Sequence, residues 1–200
     1  MSDSTSKRPV SKGTLIGLLV VFLAPLVLAT LLYQFRDRLP TIGTRSHGEL
    51  IDPARPWDRF EARTADARRL TLDDLRGKWT LAYLGAGPCD LACEAGLFKM
   101  RQVRLALGTD MKRVQRLYLG ITPQDREGLQ PIQERDPRLI FATLGDGARH
   151  ALGGVLGEDA AGHIYVIDPL GNVMMRYDAR ATSKGMLKDL RHLLKVSQIG

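Results

Sequence analysis

Cysteine is scarce, with two among 200 residues, which excludes a disulfide-framework protein and a four-cysteine zinc site. Charge of one sign is nowhere concentrated. The formal net charge is +7, yet no long block of like charges occurs, which argues against a nucleic-acid binder. The chain also lacks a Ser-His-Asp set, a phosphate-cradling glycine loop and paired carboxylates, so hydrolase and nucleotide chemistry have no support. No internal repeat is present. What is there is an ordinary globular composition, 44% hydrophobic and 26% charged, in a length suited to one domain.

From Gly13 to Phe35 no residue is charged, and Leu, Val, Ile, Phe and Ala dominate. As a helix rising 1.5 Å per residue, this run covers about 34 Å, enough for the hydrocarbon core of a bilayer. A cleaved signal peptide has a shorter apolar stretch and a small-residue cleavage site. Here Leu31, Leu32, Tyr33 and Phe35 follow Ala29 with no Ala-x-Ala pattern. The sequence therefore predicts an uncleaved single-pass transmembrane anchor over 13–35, with Pro25 as a kink. Lys7, Arg8 and Lys12 precede it and Arg36, Arg38 and Arg45 follow it, so basic residues alone set no orientation. A short tail is easily left inside. Residues 1–12 are read as cytoplasmic and 36–200 as lying outside, in the periplasm for a bacterial inner-membrane protein, where thiol pairs are redox-active.

Residues 36–69 read as a tether and N-terminal extension, with one short strand at Glu49–Ile51 and a charged surface helix or loop from Trp57 to Arg69. Residues 70–200 read as the folded domain. Apolar runs predict strands at 78–84, 114–121, 163–167 and 173–177. A helix is predicted over 90–107, stopped at Gly108, and another over 124–139, interrupted by Pro131 and Pro137. Residues 142–162 hold six glycines and show no period. A last helix, capped by Ser183, carries Met186, Leu187, Leu190, Leu193 and Leu194 on one face. Strand, helix, strand, helix, hairpin, helix is the order of a thioredoxin-like α/β sandwich.

The informative constellation is Pro88-Cys89-Asp90-Leu91-Ala92-Cys93, following a buried strand and a glycine loop and opening a helix. A helix N-terminus stabilises a thiolate. In a regular helix the spacing of four holds the Cα atoms about 6 Å apart, so a disulfide requires the first turn to distort. Two thiolates on one soft metal ion need less distortion. Two structural cysteines are the third alternative.

The chain resembles the Sco/SenC family of cytochrome c oxidase assembly proteins. The resemblance rests on Leu75-Arg76-Gly77-Lys78-Trp79, on Cys-x-x-x-Cys at 89 and 93, on Ile121-Thr122-Pro123-Gln124-Asp125-Arg126 in place of the family's V-D-P-x-x-D, and on Ile164-Tyr165-Val166-Ile167-Asp168-Pro169. It implies a membrane-anchored assembly factor that delivers copper, as Cu(I), or reduces thiols at the oxidase copper site. It implies an oxidase subunit or its assembly factors as partner. Cys89 and Cys93 would be redox pair and copper ligands, with His163 as third ligand. The family's histidine lies five residues before the strand tyrosine, where this chain has Ala160; His163 lies two before Tyr165. In an extended chain that shift reverses the face. Asp90 also replaces the family's proline. A general thiol–disulfide oxidoreductase and a non-catalytic scaffold remain alternatives, although Cys-x-x-Cys spacing and a proline ahead of the third strand are both missing.

Of the remaining residues, His47, His150 and His192 read as solvated. Met174 and Met175 are adjacent, so a strand turns them to opposite faces and one packs inside. Arg101, Arg104, Lys112, Arg113 and Arg116 read as solvated surface rather than as a docking patch.

Overall fold

The computed structural model describes residues 12–34, 46–58, 60–122, 125, 129–157 and 159–197. The chain divides after Thr44 into two compact units. In the first, α1 (Lys12–Gln34) is a 23-residue helix with Pro25 inside it. Its large apolar side chains from Ile16 to Leu31 are exposed. Over the described residues no helix is long and apolar enough to cross a membrane; the side chains of Thr14, Leu15, Leu32 and Tyr33 fall outside them.

The second unit is built on one eight-stranded sheet. In chain order its elements are β1 (Glu49–Pro56), β2 (Glu61–Thr64), β3 (Arg69–Thr71), α2 (Leu72–Leu75), β4 (Trp79–Gly85), α3 (Leu91–Ala106), a 3-10 segment (Gly108–Arg113) and β5 (Val114–Gly120). Then come α4 (Gln130–Arg135), β6 (Leu139–Leu144), α5 (Asp146–Leu156), β7 (Ile164–Ile167), β8 (Asn172–Tyr177) and α6 (Ser183–Val196). The strand order is β1-β8-β7-β4-β5-β6-β2-β3. Strands β4, β5 and β6 are parallel, and β7 and β8 form an antiparallel hairpin against β4.

Both faces of the central strands are buried, so their side chains alternate between two cores. Trp79, Leu81 and Tyr83 of β4 join Cys93, Met100, Tyr118, Ile164, Val166, Met186 and Leu190 on one face. Ala82 and Leu84 join Leu117, Leu119, Tyr165, Ile167, Leu152 and Leu156 on the other. Thus α3 and α6 cover the first face and α5 the second. Where β8 passes β7 the register slips between Val166 and Ile167. That bulge turns Val173 into the second core and Met175 into the first.

The four predicted strands and the helices after the cysteines and at the C-terminus are present. Several expectations are corrected. The segment from Trp57 to Arg69 is neither surface helix nor loop: it holds β2 and the start of β3, and buries Trp57, Phe60 and Ala62. Glu49–Ile51 extends into an eight-residue strand. The region called aperiodic contains the end of β6 and all of α5, and helix 124–139 is shortened to α4 within the described residues. The cap of α6 is Thr182, whose side chain accepts from the Gly185 N–H at 3.1 Å, rather than Ser183.

Two buried carboxylates fasten the frame. Asp189 of α6 accepts from the His47 and Gly48 N–H groups (2.7 and 3.0 Å), from the Tyr177 hydroxyl (3.0 Å), and pairs with His47 Nδ1 at 3.0 Å. His47 is therefore tied down rather than freely solvated. Arg116 is buried, not surface, and forks onto Asp136 at 2.5 and 2.7 Å. Arg104 and Arg113 likewise donate to carbonyls, of Val114 and of Leu194 and Ser197.

Replacing Asp189 by Ala strands several donors in a dry site and should cost about 3 kcal/mol of stability, read as a lowered urea midpoint. The Arg116 hydrogen bonds hold the Asp136 carboxyl below its ordinary 3.8, against the opposing effect of burial. A depressed carboxylate contributes stability above 3.8 that is lost as pH falls through its lower folded value. The acid limb of a stability–pH curve should therefore flatten in Asp136→Asn, at the cost of a lower plateau at neutral pH.

Candidate functional site

At the carboxyl end of β4 the chain leaves the sheet through Gly85-Ala86-Gly87-Pro88 and reaches Cys89. Cys89 and Cys93 form a disulfide with Cα atoms 5.3 Å apart. No distortion of a helical turn is needed, because Cys89 lies ahead of the helix. Asp90 is the N-cap in an extended conformation, and the helix begins at Leu91. Only Cys93 sits within the first turn. The Asp90 carboxylate accepts from the Cys93 N–H at 2.9 Å, so the cap residue occupies an amide that would otherwise face a thiolate. Cys93 is 5% exposed and packs in the first core, whereas Cys89 is half-buried at its edge.

The approach loop is clamped from beneath. Asp125 is buried, and its carboxylate accepts from the Gly87 N–H at 2.6 Å, the Thr122 N–H at 2.7 Å and the Thr122 hydroxyl at 2.8 Å. Its own carbonyl accepts from the Tyr118 hydroxyl at 2.8 Å. Gly87 has φ +94°, a left-handed conformation that favours glycine. Pro123, Gln124 and Arg126 of the expected motif lie outside the described residues. The Thr-x-x-Asp spacing, in which a carboxylate reaches back to a hydroxyl and an N–H three residues earlier, is the signal that could have marked Asp125.

A cleft of about 510 Å³ opens beside the bridge, lined among others by Tyr83, Cys93, Gly96, Lys99, Gly162 and Asp178. Gly96 lets α3 approach the sheet: a Cβ there would stand 2.7 Å from the Tyr83 ring. Tyr83 stacks on Tyr118 with centroids 6.0 Å apart. Burial pushes both phenols above their ordinary value, with the charges of Asp90 and Asp125 adding respectively. Both hydroxyls therefore stay protonated at neutral pH.

His163 is not brought to the cysteines. Its ring nitrogen lies 2.8 Å from the Ala161 carbonyl and its ring 6.4 Å from that of Tyr165, a residue of the second core. Cys93 belongs to the first. Ala160, at the position of the family's histidine, is buried. Among the described residues no group of three or more His, Cys, Asp or Glu side chains is disposed to hold a metal ion.

A family model described as transmembrane-like, thioredoxin-like, C-terminal domain matches residues 79–197. The chain belongs to this family. Its span runs from the first residue of β4 to just beyond α6, and so includes the disulfide, the Asp125 clamp and the cleft. No curated protein sequence matches. Among solved structures, apo Sco1 from Thermus thermophilus is similar with a TM-score of 0.61 and 15% identity, over 77% of this chain and 99% of that one. Copper-bound ScoI from Bradyrhizobium japonicum gives 0.53 and 19%, over 72% and 98%. BsSco, described as a Sco-family cytochrome c oxidase assembly protein with a disulfide switch, gives 0.54 and 14%, over 72% and 96%. These likenesses establish the thioredoxin-like fold that the Sco/SenC resemblance implies.

If Asp125 holds the approach loop, Asp125→Ala should release it by about 2 kcal/mol and speed reduction of the disulfide by dithiothreitol. Asp125→Asn, which keeps the shape, should fall between. His163→Ala should leave the rate unchanged.

Proposed function

We propose that this chain is a membrane-anchored, Sco-like assembly factor for cytochrome c oxidase, acting through reversible thiol–disulfide exchange at Cys89 and Cys93. The observation that carries the reading is the bridge itself. One sulfur is half-exposed and the other buried at a helix N-terminus, where the sheet of a Sco-like fold ends. A thiolate approaching from solvent meets Cys89, and Cys93 is then the leaving group. In the reverse direction Cys89 is the attacking thiolate, and Cys93 resolves the mixed disulfide. The partner in this reading is an oxidase subunit, or one of its assembly factors, carrying copper-binding thiols.

Copper enters as cargo. The donor set fits two-coordinate Cu(I), which takes soft thiolates, once the bridge is reduced. It does not fit a site of two cysteines and a histidine, since the His163 ring neighbours Tyr165 of the second core whereas Cys93 packs in the first. Thiol exchange is accordingly the favoured branch, and copper carriage the second. The anchor is part of the proposal: residues 13–35 span the bacterial inner membrane, 1–12 stay in the cytoplasm and the thioredoxin-like domain is periplasmic. The uncharged run from Gly13 to Phe35 in the sequence supports it.

Thiol trapping of the purified protein across a series of redox buffers should give one reversible two-electron midpoint, lost in Cys89→Ser and in Cys93→Ser. Competition titration with Cu(I) should show binding lost in both variants and retained in His163→Ala. Equal loss in all three would overturn the two-sulfur site. A pair that neither cycles nor binds copper would leave only a scaffold of the same fold.

A further inference from the structure

The outer face of α3 carries an apolar stripe that the fold does not use. Leu91, Phe98 and Leu105 are 86%, 60% and 50% exposed. Seven residues are nearly two full turns, so the three side chains stand one above another along about 21 Å of helix. The inward face is already supplied by Cys93, Gly96, Leu97, Met100 and Val103. Single exposed apolar residues are ordinary, but an aligned row of large ones marks a contact surface.

Position and charge say what covers it. Leu91 lies between the two cysteines, so whatever reaches the Cys89 sulfur also meets the head of the stripe. Beyond Phe98 the surroundings are basic. A recess of about 150 Å³ beside Phe98 is lined by Arg101 and Arg135 together with Glu94 and with Asp136, whose charge is taken by Arg116. On α6 the exposed ionisable groups are Lys184, Lys188, Arg191, His192 and Lys195, while its one acid, Asp189, is buried. Arg191 donates to the Ala106 carbonyl at 2.9 Å, which sets this basic face beside the far end of the stripe. Asp90 and Glu94 stand at the disulfide end.

Resting on the thiol-exchange reading, we infer that the outer face of α3 docks an acidic polypeptide that carries a dithiol and an apolar patch, aligning that dithiol with Cys89. A second copy of this chain is disfavoured because it would set basic faces together. A lipid surface is disfavoured because it would close over Leu91 and the exposed sulfur. In the docked pair a partner thiolate attacks the Cys89 sulfur, and the Cys89–Cys93 bond breaks with its electron pair on Cys93. The partner's second thiolate then attacks its own sulfur in the mixed disulfide and releases Cys89. The partner leaves oxidised by two electrons; Cys89 and Cys93 hold those electrons and take up two protons.

The test uses the full chain in non-ionic detergent and three reductants: two synthetic dithiol peptides with the same Leu and Phe residues, one rich in Glu and one rich in Lys, and dithiothreitol. The acidic peptide should reduce the pair about 10-fold faster than the basic one at low salt, with the advantage shrinking as salt rises. Phe98→Ser with Leu105→Ser, and separately Lys188→Glu with Arg191→Glu, should each abolish the advantage while leaving the dithiothreitol rate as in the parent. Equal peptide rates in the parent, or an advantage that survives both variants, would overturn the docking face alone. Slower reduction by dithiothreitol in phosphatidylglycerol nanodiscs than in phosphatidylcholine ones, restored by the Phe98 and Leu105 changes, would assign the face to lipid and overturn it too. A pair reduced by none of the reagents would instead overturn the thiol-exchange reading beneath it.

Discussion

The parallel pairing of β4 with β5 is the constraint on which the rest depends. Its register runs unbroken from Trp79 opposite Val114 to Gly85 opposite Gly120. Both strands thus end level, at glycines, with the Ile121 N–H donating to the Gly85 carbonyl at 3.0 Å. The end glycine of β4 is required: a Cβ at Gly85 would collide with the Tyr118 hydroxyl. Past that point the two chains diverge, one toward Cys89 and the other toward Thr122 and Asp125, and the Asp125 carboxylate ties them together again. A shift of one residue would put Tyr83 and Tyr118 in the wrong core, detach Asp125 from Gly87 and remove the cysteines from the end of the sheet.

This dependence explains which parts of the fold could be read in advance. Trp79–Leu84 and Ile164–Ile167 are buried on both faces and read as nearly continuous apolar runs bounded by breakers. Val114–Gly120, although it includes Gln115 and Arg116, ends in the apolar Leu117-Tyr118-Leu119 before Gly120, so the pattern is visible locally. β2 and β3 are not. They lie at the edge of the sheet, where the burial of β2 alternates and Arg63 and Arg69 face water. In a short charged segment such alternation looks like loop. Trp57 and Phe60 stack edge-to-face with centroids 5.1 Å apart and fill the second core only once the strands beside them exist. Helix α5 was hidden for a different reason. Gly147, Gly153 and Gly154 give it poor intrinsic propensity, and it forms because Ala148, Leu152 and Leu156 find a sheet face to cover.

The site was legible to a similar degree. The spacing of Cys89 and Cys93 and the glycine loop before them point to a paired function, and the structure joins them. Helical spacing alone implied a bridge that must bend the first turn, because the sequence does not reveal that Asp90 is the cap and Cys89 stands outside the helix. Asp125 could not be weighed from the sequence either. Its importance comes from Gly87, thirty-eight residues away, and only the β4–β5 register makes the two neighbours.

The departure at Asp90 fits the chemistry better as exchange than as metal storage. A carboxylate at the helix cap takes the Cys93 amide at 2.9 Å, so that N–H is not left free to face a sulfur ligand or a bound ion. A site built to retain copper benefits from a third ligand, and here the candidate histidine neighbours Tyr165 of the second core while Cys93 packs in the first. Cap and histidine placement are independent features of the chain, one at the cap of α3 and one ahead of β7, and neither adds a ligand to the two sulfurs.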